Sequence, residues 1–543
     1  MKKRGFTLIE LLAVILILGI IALIAIPTVS KIIDQSKKGA FENTANNIVN
    51  AIEDTCQLQT IKGETITTIY TFTDGAVSPE LNIKGRLPKN GNATVDLNCN
   101  VAINVTDGKF TATKLSSSDT ITIVDGDQVE VPTSYTDYVE SEGVNKPKLA
   151  PGMTAIKWNG TTEEEVTNPD SDTSWYNYAN KEWANAKTAD GSYWVWIPRY
   201  IYKISTANWH TSTAGTIDVQ FSKDTNDNWN SSTIGNINTD TTVNASKNTW
   251  ANHPAFTFGD KEVTGIWIAK FEATSREGVA NNATSDNVTS KHVKIVPAVQ
   301  SWRYINVSNI FDVCRNMETD NTYGWGTSGN DIDTHLIKNT EWGAVAYLSS
   351  SIYGKNGPIL VNPNNNFLTG QSGTSNNDYD LSVTYPYNDL TYGVQAGTTG
   401  NIYGVYDMSG GATEYTASYV TTTDANLITF GSSLVNANSK YKDVYNTGTN
   451  YNDASFFSEN LDKIGDAIYE TSSGTGSSTS WYTTYSNIPF GYYPFFSRGG
   501  LKYSSTDAGI FSFGSSDGYD DNDWGGNYNT QGFRPVLSVS TGL

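Results

Sequence analysis

The sequence predicts an α+β protein: a long N-terminal helix, a small β-sheet beside its stem, and a large C-terminal domain with little regular secondary structure. Three observations predict it. An apolar run from Leu11 to Ile26 is followed by Ile32, Ile33, Ala40, Phe41, Ala45, Ile48, Val49 and Ile52 at helical spacing. From Thr65 to about Val131, short β-branched runs are separated by Asp-Gly turns at Asp74, Asp107 and Asp125. Beyond residue 150, phrases rich in tryptophan and glycine, Tyr193 to Tyr200, Gly265 to Glu272 and Asn339 to Leu348, read as core.

The helix begins in a distinctive block. Lys2, Lys3 and Arg4 precede Gly5-Phe6-Thr7-Leu8-Ile9-Glu10. A secretory signal peptide is cut after its apolar core, whereas the only plausible cut here lies before it, at Gly5-Phe6. The apolar helix therefore stays with the mature protein. Glu10 needs a partner, because a carboxylate inside a membrane-length helix costs roughly 2.5 to 3.5 kcal/mol. Cutting after Gly5 supplies one, the new ammonium on Phe6 of a neighbouring copy. Gly5, Phe6, Glu10, Gly19 and Pro27 together resemble the class III leader of type IV prepilins. The resemblance implies a dedicated peptidase that cuts after Gly5 and methylates Phe6, other pilin subunits as partners, and assembly through Glu10. An ordinary single-pass anchor with a chance carboxylate is the bland alternative.

The run from Phe6 to Ile26 can span a bilayer, and Pro27 is expected to kink or locally melt the helix before it resumes as an amphipathic stem. The implied divisions are a leader at 1–5, membrane and stem helix at 6–55, a pilin-type β-sheet domain at 56–135, a linker at 136–150 and a head at 151–543. The implied location is the cytoplasmic membrane before assembly and an extracellular pilus or the cell surface afterwards.

Composition fits an exported chain. The formal net charge is -20, and removing Lys2, Lys3 and Arg4 leaves 33 basic against 56 acidic side chains. Such a balance disfavours nucleic acid and anionic membrane surfaces as partners of the exposed part. Of three cysteines, Cys56 and Cys99 bracket the β-rich segment and are the candidate disulfide, two free buried thiols being the alternative. Cys314 reads as a small buried hydrophobe.

Within the head, Asn208 to Asn248 is rich in Asn, Thr and Ser and reads as a surface insertion, while Thr340 is the expected cap of a helix running to Leu348. The phrases from Gly400 to Tyr415, Arg498-Gly499-Gly500 and Gly532-Phe533-Arg534 follow in order. This set resembles the sulfatase-modifying-factor family, the formylglycine-generating-enzyme-like branch of the C-type lectin fold, although Thr413 stands where a Trp is usual. Members of that fold include oxidases with a cysteine pair and iron enzymes with a histidine-rich site. No cysteine follows Cys314, and His210, His253, His292 and His335 lack metal-ligand spacing. His335 reads as a packed or capping residue, and Glu341 and Glu414 as structural carboxylates. The expectation is a protein that is not an enzyme and carries no resident cofactor or metal.

Between Arg498-Gly499-Gly500 and Gly532-Phe533-Arg534 the alphabet changes: Gly, Ser, Asp, Asn and Tyr supply 23 of the 32 residues from Gly499 to Thr530. This is the composition of antibody loops, where tyrosine gives large contacts and short polar groups give adaptable hydrogen bonds. The placement resembles the variable region of diversity-generating-retroelement target proteins, in which adenine-directed mutagenesis rewrites Asn-type codons. From Leu501 to Thr530 only Lys502 and Trp524 lie outside the residue types such codons yield. The expected contacts are Tyr503, Ser504, Ser505, Thr506, Asp507, Ser512, Ser515, Ser516, Asp517, Tyr519, Asp520, Asn522, Asp523, Asn527, Tyr528 and Asn529, with Trp524 as an aromatic anchor or a scaffold residue. Asp517 to Asp523 also suggests calcium, but without an EF-hand register or closing Glu a solvated acidic loop is the simpler reading.

Together these readings describe a minor pilin-like adhesin whose head binds a surface protein or glycan on another cell or phage. The alternatives are an envelope-tethered enzyme of the same fold and a pseudopilin of a secretion machine.

Overall fold

The computed structural model describes residues 8–62, 69–83, 86–95, 99, 101–114, 121–126, 138–139, 144–169, 172–222, 250–280, 282–325, 332–362, 367–371, 385–447, 454–500, 508–514 and 524–539. The architecture is α+β, and the chain divides into two compact units, residues 1–136 and 137–543.

In the first unit one helix runs from Leu8 to Lys62. It is continuous across Pro27, where the sequence predicts a kink or break. Proline removes only its own hydrogen bond, to the Leu23 carbonyl, and the turns on either side keep theirs. Among the described residues no helix is long and apolar enough to cross a membrane. Within the predicted membrane segment 6–26, side chains are described only at Leu12, Leu16 and Ile17, all exposed. Gly5 and Phe6 lie outside the described residues, as does the side chain of Glu10.

Further along the helix, Phe41, Ala45, Ile48, Val49, Ile52 and Cys56 recur every three or four residues and are buried in one cluster with Tyr70, Phe72, Val101, Ile103, Val105, Phe110 and Ala112 of the sheet. The sheet is antiparallel, its six strands ordered Ala76–Ser78, Ile69–Thr73, Asn90–Val95, Val101–Thr106, Phe110–Lys114 and Thr122–Asp125. The turn at Asp107-Gly108 is built as its sequence requires. Asp107 Oδ1 accepts from the backbone N–H groups of Lys109 and Phe110, both at 2.8 Å, while Gly108 takes a φ of +91°. Cys56 and Cys99 form a disulfide that ties helix to sheet.

Two seven-stranded sheets dominate the described residues of the second unit, beside smaller sheets of two and three strands. The first is antiparallel, ordered Thr162–Glu165, Thr154–Asn159, Asn185–Lys187, Tyr193–Pro198, Gly265–Ala269, Pro535–Val539 and Ile332–Leu336. The last strand of the chain thus lies inside it, between two strands that precede it by some two hundred residues or more. The second runs Asp443–Tyr445, Thr413–Val420, Phe495–Gly499, Gly509–Gly514, Thr484–Ser486 and Gly476–Ser480, with Gln531–Phe533 pairing in parallel on Thr413–Val420. Trp175, Trp183, Trp194, Trp196, Trp267, Trp302, Trp325, Trp342 and Trp481 are all fully buried, so the tryptophan phrases are indeed core.

Three expectations need correction here. Residues 144–150 are not linker: Val144 and Ala150 sit in the core, and Asn145 Nδ2 donates to the Ser222 and Thr264 carbonyls at 2.7 and 2.9 Å. A buried amide with two backbone acceptors outweighs the polar composition. The predicted insertion contains a strand, Ile217–Phe221, paired to Tyr200–Ile204, because Ile217, Val219 and Phe221 alternate into the core; residues 223–248 of it lie outside the described residues. The helix Asn339–Ser349 is capped at Lys338 rather than Thr340. Glu341 reaches back to the Lys338 N–H at 2.9 Å, and Thr340 N donates to Asp443 at 2.8 Å, which satisfies two end donors without a hydroxyl cap.

Candidate functional site

The Tyr-, Ser- and Asp-rich segment is carried by one strand, Gly509–Gly514, antiparallel to Phe495–Gly499. Two buried side chains hold that strand. Arg498 donates through Nε to the Ser512 carbonyl at 3.0 Å and through Nη1 and Nη2 to the Asp466 and Ala467 carbonyls at 2.9 and 3.0 Å. Trp342 Nε1 donates to the Ile510 carbonyl at 2.7 Å, and its ring lies 5.6 Å from the Arg498 guanidinium.

This anchoring separates the expected contact positions. Tyr503, Ser504, Ser505, Thr506 and Asp507 lie outside the described residues, as do Ser515, Ser516, Asp517, Tyr519, Asp520, Asn522 and Asp523 with the calcium candidate. Their attachment points are described. Residues 501–507 join Gly500 to Ala508 at the Gly499 end of the hairpin, where Gly499 pairs with Gly509. Residues 515–523 leave Gly514, paired with Ser497, and return at Trp524 and Gly525, which packs on Phe495. The two stretches therefore attach at the two ends of the six-residue strand Gly509–Gly514.

Ser512 is corrected. Its side chain is only 4% exposed in a strand buried throughout, so it belongs to the scaffold and not to a contact surface. Trp524 is 37% exposed, and Asn527, Tyr528 and Asn529 are half-buried. That stretch is seated by its backbone: Val307 N donates to Gly525 O at 3.0 Å, Tyr304 N to Tyr528 O at 2.8 Å, and Arg303 Nη1 to Asn529 O. These contacts run to backbone carbonyls, while Gly525 itself is fixed by a φ of +90° and by the Phe495 ring against it.

Beneath this seat lies a cluster that the sequence reading only partly found. Arg534 and Glu414 are joined there, and Asp407 accepts from the Asn362 amide at 2.6 Å, the Gly370 N–H at 2.6 Å and the Thr369 hydroxyl. Glu272 accepts from the Ala412 N–H at 2.8 Å and the Ser301 hydroxyl. All three carboxyl groups are buried, and burial pushes each upward, Asp407 to about 6 and Glu414 to about 7. Lys270, also buried, donates to Asn185 Oδ1, Ile402 O and Gly404 O at 2.8, 2.7 and 2.9 Å. The phrase from Gly404 to Tyr415 is thus pinned near both ends by Lys270 and Glu272. Their sequence signal is two charged residues inside an otherwise apolar strand phrase, Gly265 to Glu272.

The residues weighed for catalysis have structural partners. His335 lies between Asp333 Oδ1 at 3.0 Å and Glu341 Oε1 at 2.9 Å, stacked on Phe258. Burial works against its charge, but Glu341 and Asp333 outweigh it and raise its pKa. His253 is buried and pushed down to about 3. Burial also pushes the Cys314 thiol well up, which keeps it protonated.

Residues 1–26 match the prokaryotic N-terminal methylation motif. That motif marks a type IV pilin-like or pseudopilin-type protein, a membrane-anchored precursor whose expected partners are a prepilin peptidase and other pilin subunits. Comparison with the curated proteins found no match.

Proposed function

We propose that this chain is a minor pilin-like adhesin: the N-terminal helix enters a type IV filament, and the second unit displays a binding face built from residues 501–530. The function is display, not turnover. The N-terminal methylation motif carries the filament half of this reading. The head half draws on the C-type lectin resemblance, with which a terminal strand held inside the first sheet and long irregular connections are consistent. Protonated, buried Cys314 and a doubly ion-paired His335 favour display over a thiol or histidine enzyme.

Diversification of the face by a retroelement is part of the proposal. The anchoring suits it, since Arg303, Tyr304, Val307 and Arg498 hold the strand and its continuation partly through backbone carbonyls. The ligand class is a surface protein or glycan on another cell or phage.

The test is to compare the gene across isolates. Substitutions confined to codons 501–530 at adenine positions, with a near-copy template and a reverse transcriptase nearby, support the reading; an invariant window without a template removes diversification. In the same strain, replacing Gly5 by a bulky residue should leave residues 1–5 on the protein by intact mass and keep it out of the filament.

A further inference from the structure

The second unit carries a cleft of about 350 Å³, within the range of sites that hold a small molecule. One wall is formed by residues 289–293, where Val293 pairs with Ser275 in a short two-stranded sheet. The other is the end of the helix Val307–Asn316 with the helical turns Met317–Thr319 and Asn321–Tyr323 that follow it. Val293, Val313, Met317 and Tyr323 supply its buried lining. The walls are fixed to each other and to their surroundings. Tyr323 Oη donates to Val293 O at 2.5 Å, Trp325 Nε1 to Met317 O at 2.7 Å, and Ala189 N to Tyr323 O at 3.0 Å. The cleft is therefore preformed.

Its charged groups are spent. Lys291 donates to Asp286 at 2.6 Å and to Gly278 O at 2.9 Å, His292 is bonded to Glu277 at 2.6 Å, and Asp320 accepts from Arg276 at 3.0 Å and from Thr322 N at 2.9 Å. Each is matched within the protein, so none is left to recruit a charged ligand. Thr289, Asn316 and Asn321 differ: they line the cleft, are exposed, and their side chains have no hydrogen-bond partner among the described residues. Two amides and a hydroxyl offer donors and acceptors together without a charge.

We propose that this cleft binds a neutral polyhydroxylated small molecule, a sugar ring, with its hydroxyls on Asn316, Asn321 and Thr289 and its carbon face on Val293 and Met317. A hydroxyl both donates and accepts, which matches side-chain amides group for group. An apolar ligand would cover those three side chains and leave them unpaired, and an ionic one would be desolvated without a counter-charge. No lining residue falls within 501–530, so the site is independent of the proposed adhesive face and of its diversification.

The experiment is saturation-transfer NMR on the full chain in detergent micelles, with glucose, galactose, mannose and N-acetylglucosamine as probes and glucuronic acid as the charged comparison. At least one neutral sugar should receive saturation, with a Kd of about 1 mM, and the double variant Asn316→Ala, Asn321→Ala should weaken it by about tenfold or more through the loss of two hydrogen bonds. Thr289→Trp, which fills the mouth from an exposed position, should abolish it. Methyl glycosides that bind as well as the free sugars identify a glycan terminus as the source, and binding confined to free sugars identifies a monosaccharide in solution; either supports the cleft. No transfer to any neutral sugar in the wild type overturns the site, as does transfer that survives both variants or tighter binding of glucuronic acid than of glucose. An invariant window at 501–530 leaves the cleft standing, and failure of every sugar leaves the adhesive reading standing.

Discussion

Arg534 and Glu414 form a fully buried two-point pair, Nη2 to Oε1 at 2.6 Å and Nε to Oε2 at 3.1 Å. The same guanidinium donates to Ala269 O at 2.7 Å and Tyr406 O at 2.8 Å. One side chain therefore joins a strand of each sheet, Gly265–Ala269 and Thr413–Val420. Arg534→Ala should destabilise the second unit by about 3 to 5 kcal/mol, because Glu414 is left buried and unpaired. Arg534→Lys should recover only part, since an ammonium cannot reproduce the forked geometry. Denaturant unfolding followed by tryptophan fluorescence checks both; wild-type stability in Arg534→Ala would show the pair to be dispensable.

Gly343 is predicted to be irreplaceable for steric reasons alone. It lies in the helix Asn339–Ser349 against the Gly465 carbonyl, and an added Cβ would also meet Asp466 Cα at 2.8 Å. Backbone sits on the far side, so nothing flexible can give way. Gly343→Ala should cost about 1 to 3 kcal/mol despite alanine's better helix propensity. A variant that melts at or above the wild-type temperature contradicts this packing.

Reduction of Cys56–Cys99 should destabilise the first unit alone. The bridge closes a separation of 43 residues, for which the chain-entropy account gives roughly 4 kcal/mol. Adding a thiol reductant should lower the unfolding transition of the first unit and leave that of the second unchanged, since Cys314 is buried and unbridged. Calorimetry with and without reductant separates the two, and parallel shifts of both transitions would refute the assignment.

Asp466 should make stability fall as pH rises. Burial first, then the neighbouring Glu470, push its carboxyl up to about 7. Its contribution is fully present below the unfolded value, near 4, and is lost as pH approaches 7, worth up to roughly 4 kcal/mol. Asp466→Asn preserves acceptance of the Ile468 N–H at 3.0 Å and should flatten the melting-temperature profile between about pH 5 and about pH 8. A variant with the wild-type slope would assign that slope to other groups.

How much was legible depended on distance along the chain. The Asp107-Gly108 turn and the helical stripe from Phe41 to Cys56 were readable because their partners lie within a few residues or one periodicity. Glu272 went unread as a structural centre because its partners stand at Ser301 and Ala412, and the function of a carboxyl is set by what faces it. Ser512 was misplaced for a related reason: composition marks a segment as polar, but only strand register says which serine turns inward. Ile217–Phe221 was hidden inside an Asn- and Thr-rich stretch whose average outweighed three alternating apolar residues.

The sequence by itself determined the kind of molecule. Its basic leader, Gly5, Phe6, Glu10 and apolar run are a local pattern that processing reads before any fold exists, and its tryptophan phrases specify a core by apolar area alone. The tertiary structure decided the rest. It brought Arg534 to Glu414 and Glu272 to Ala412, attached residues 501–507 and 515–523 at the two ends of the strand Gly509–Gly514, and bound the carbonyls of Gly525, Tyr528 and Asn529 to Val307, Tyr304 and Arg303. Charge and hydrogen bonding act through space at a few ångströms, and only the folded chain determines which distant residues share that space.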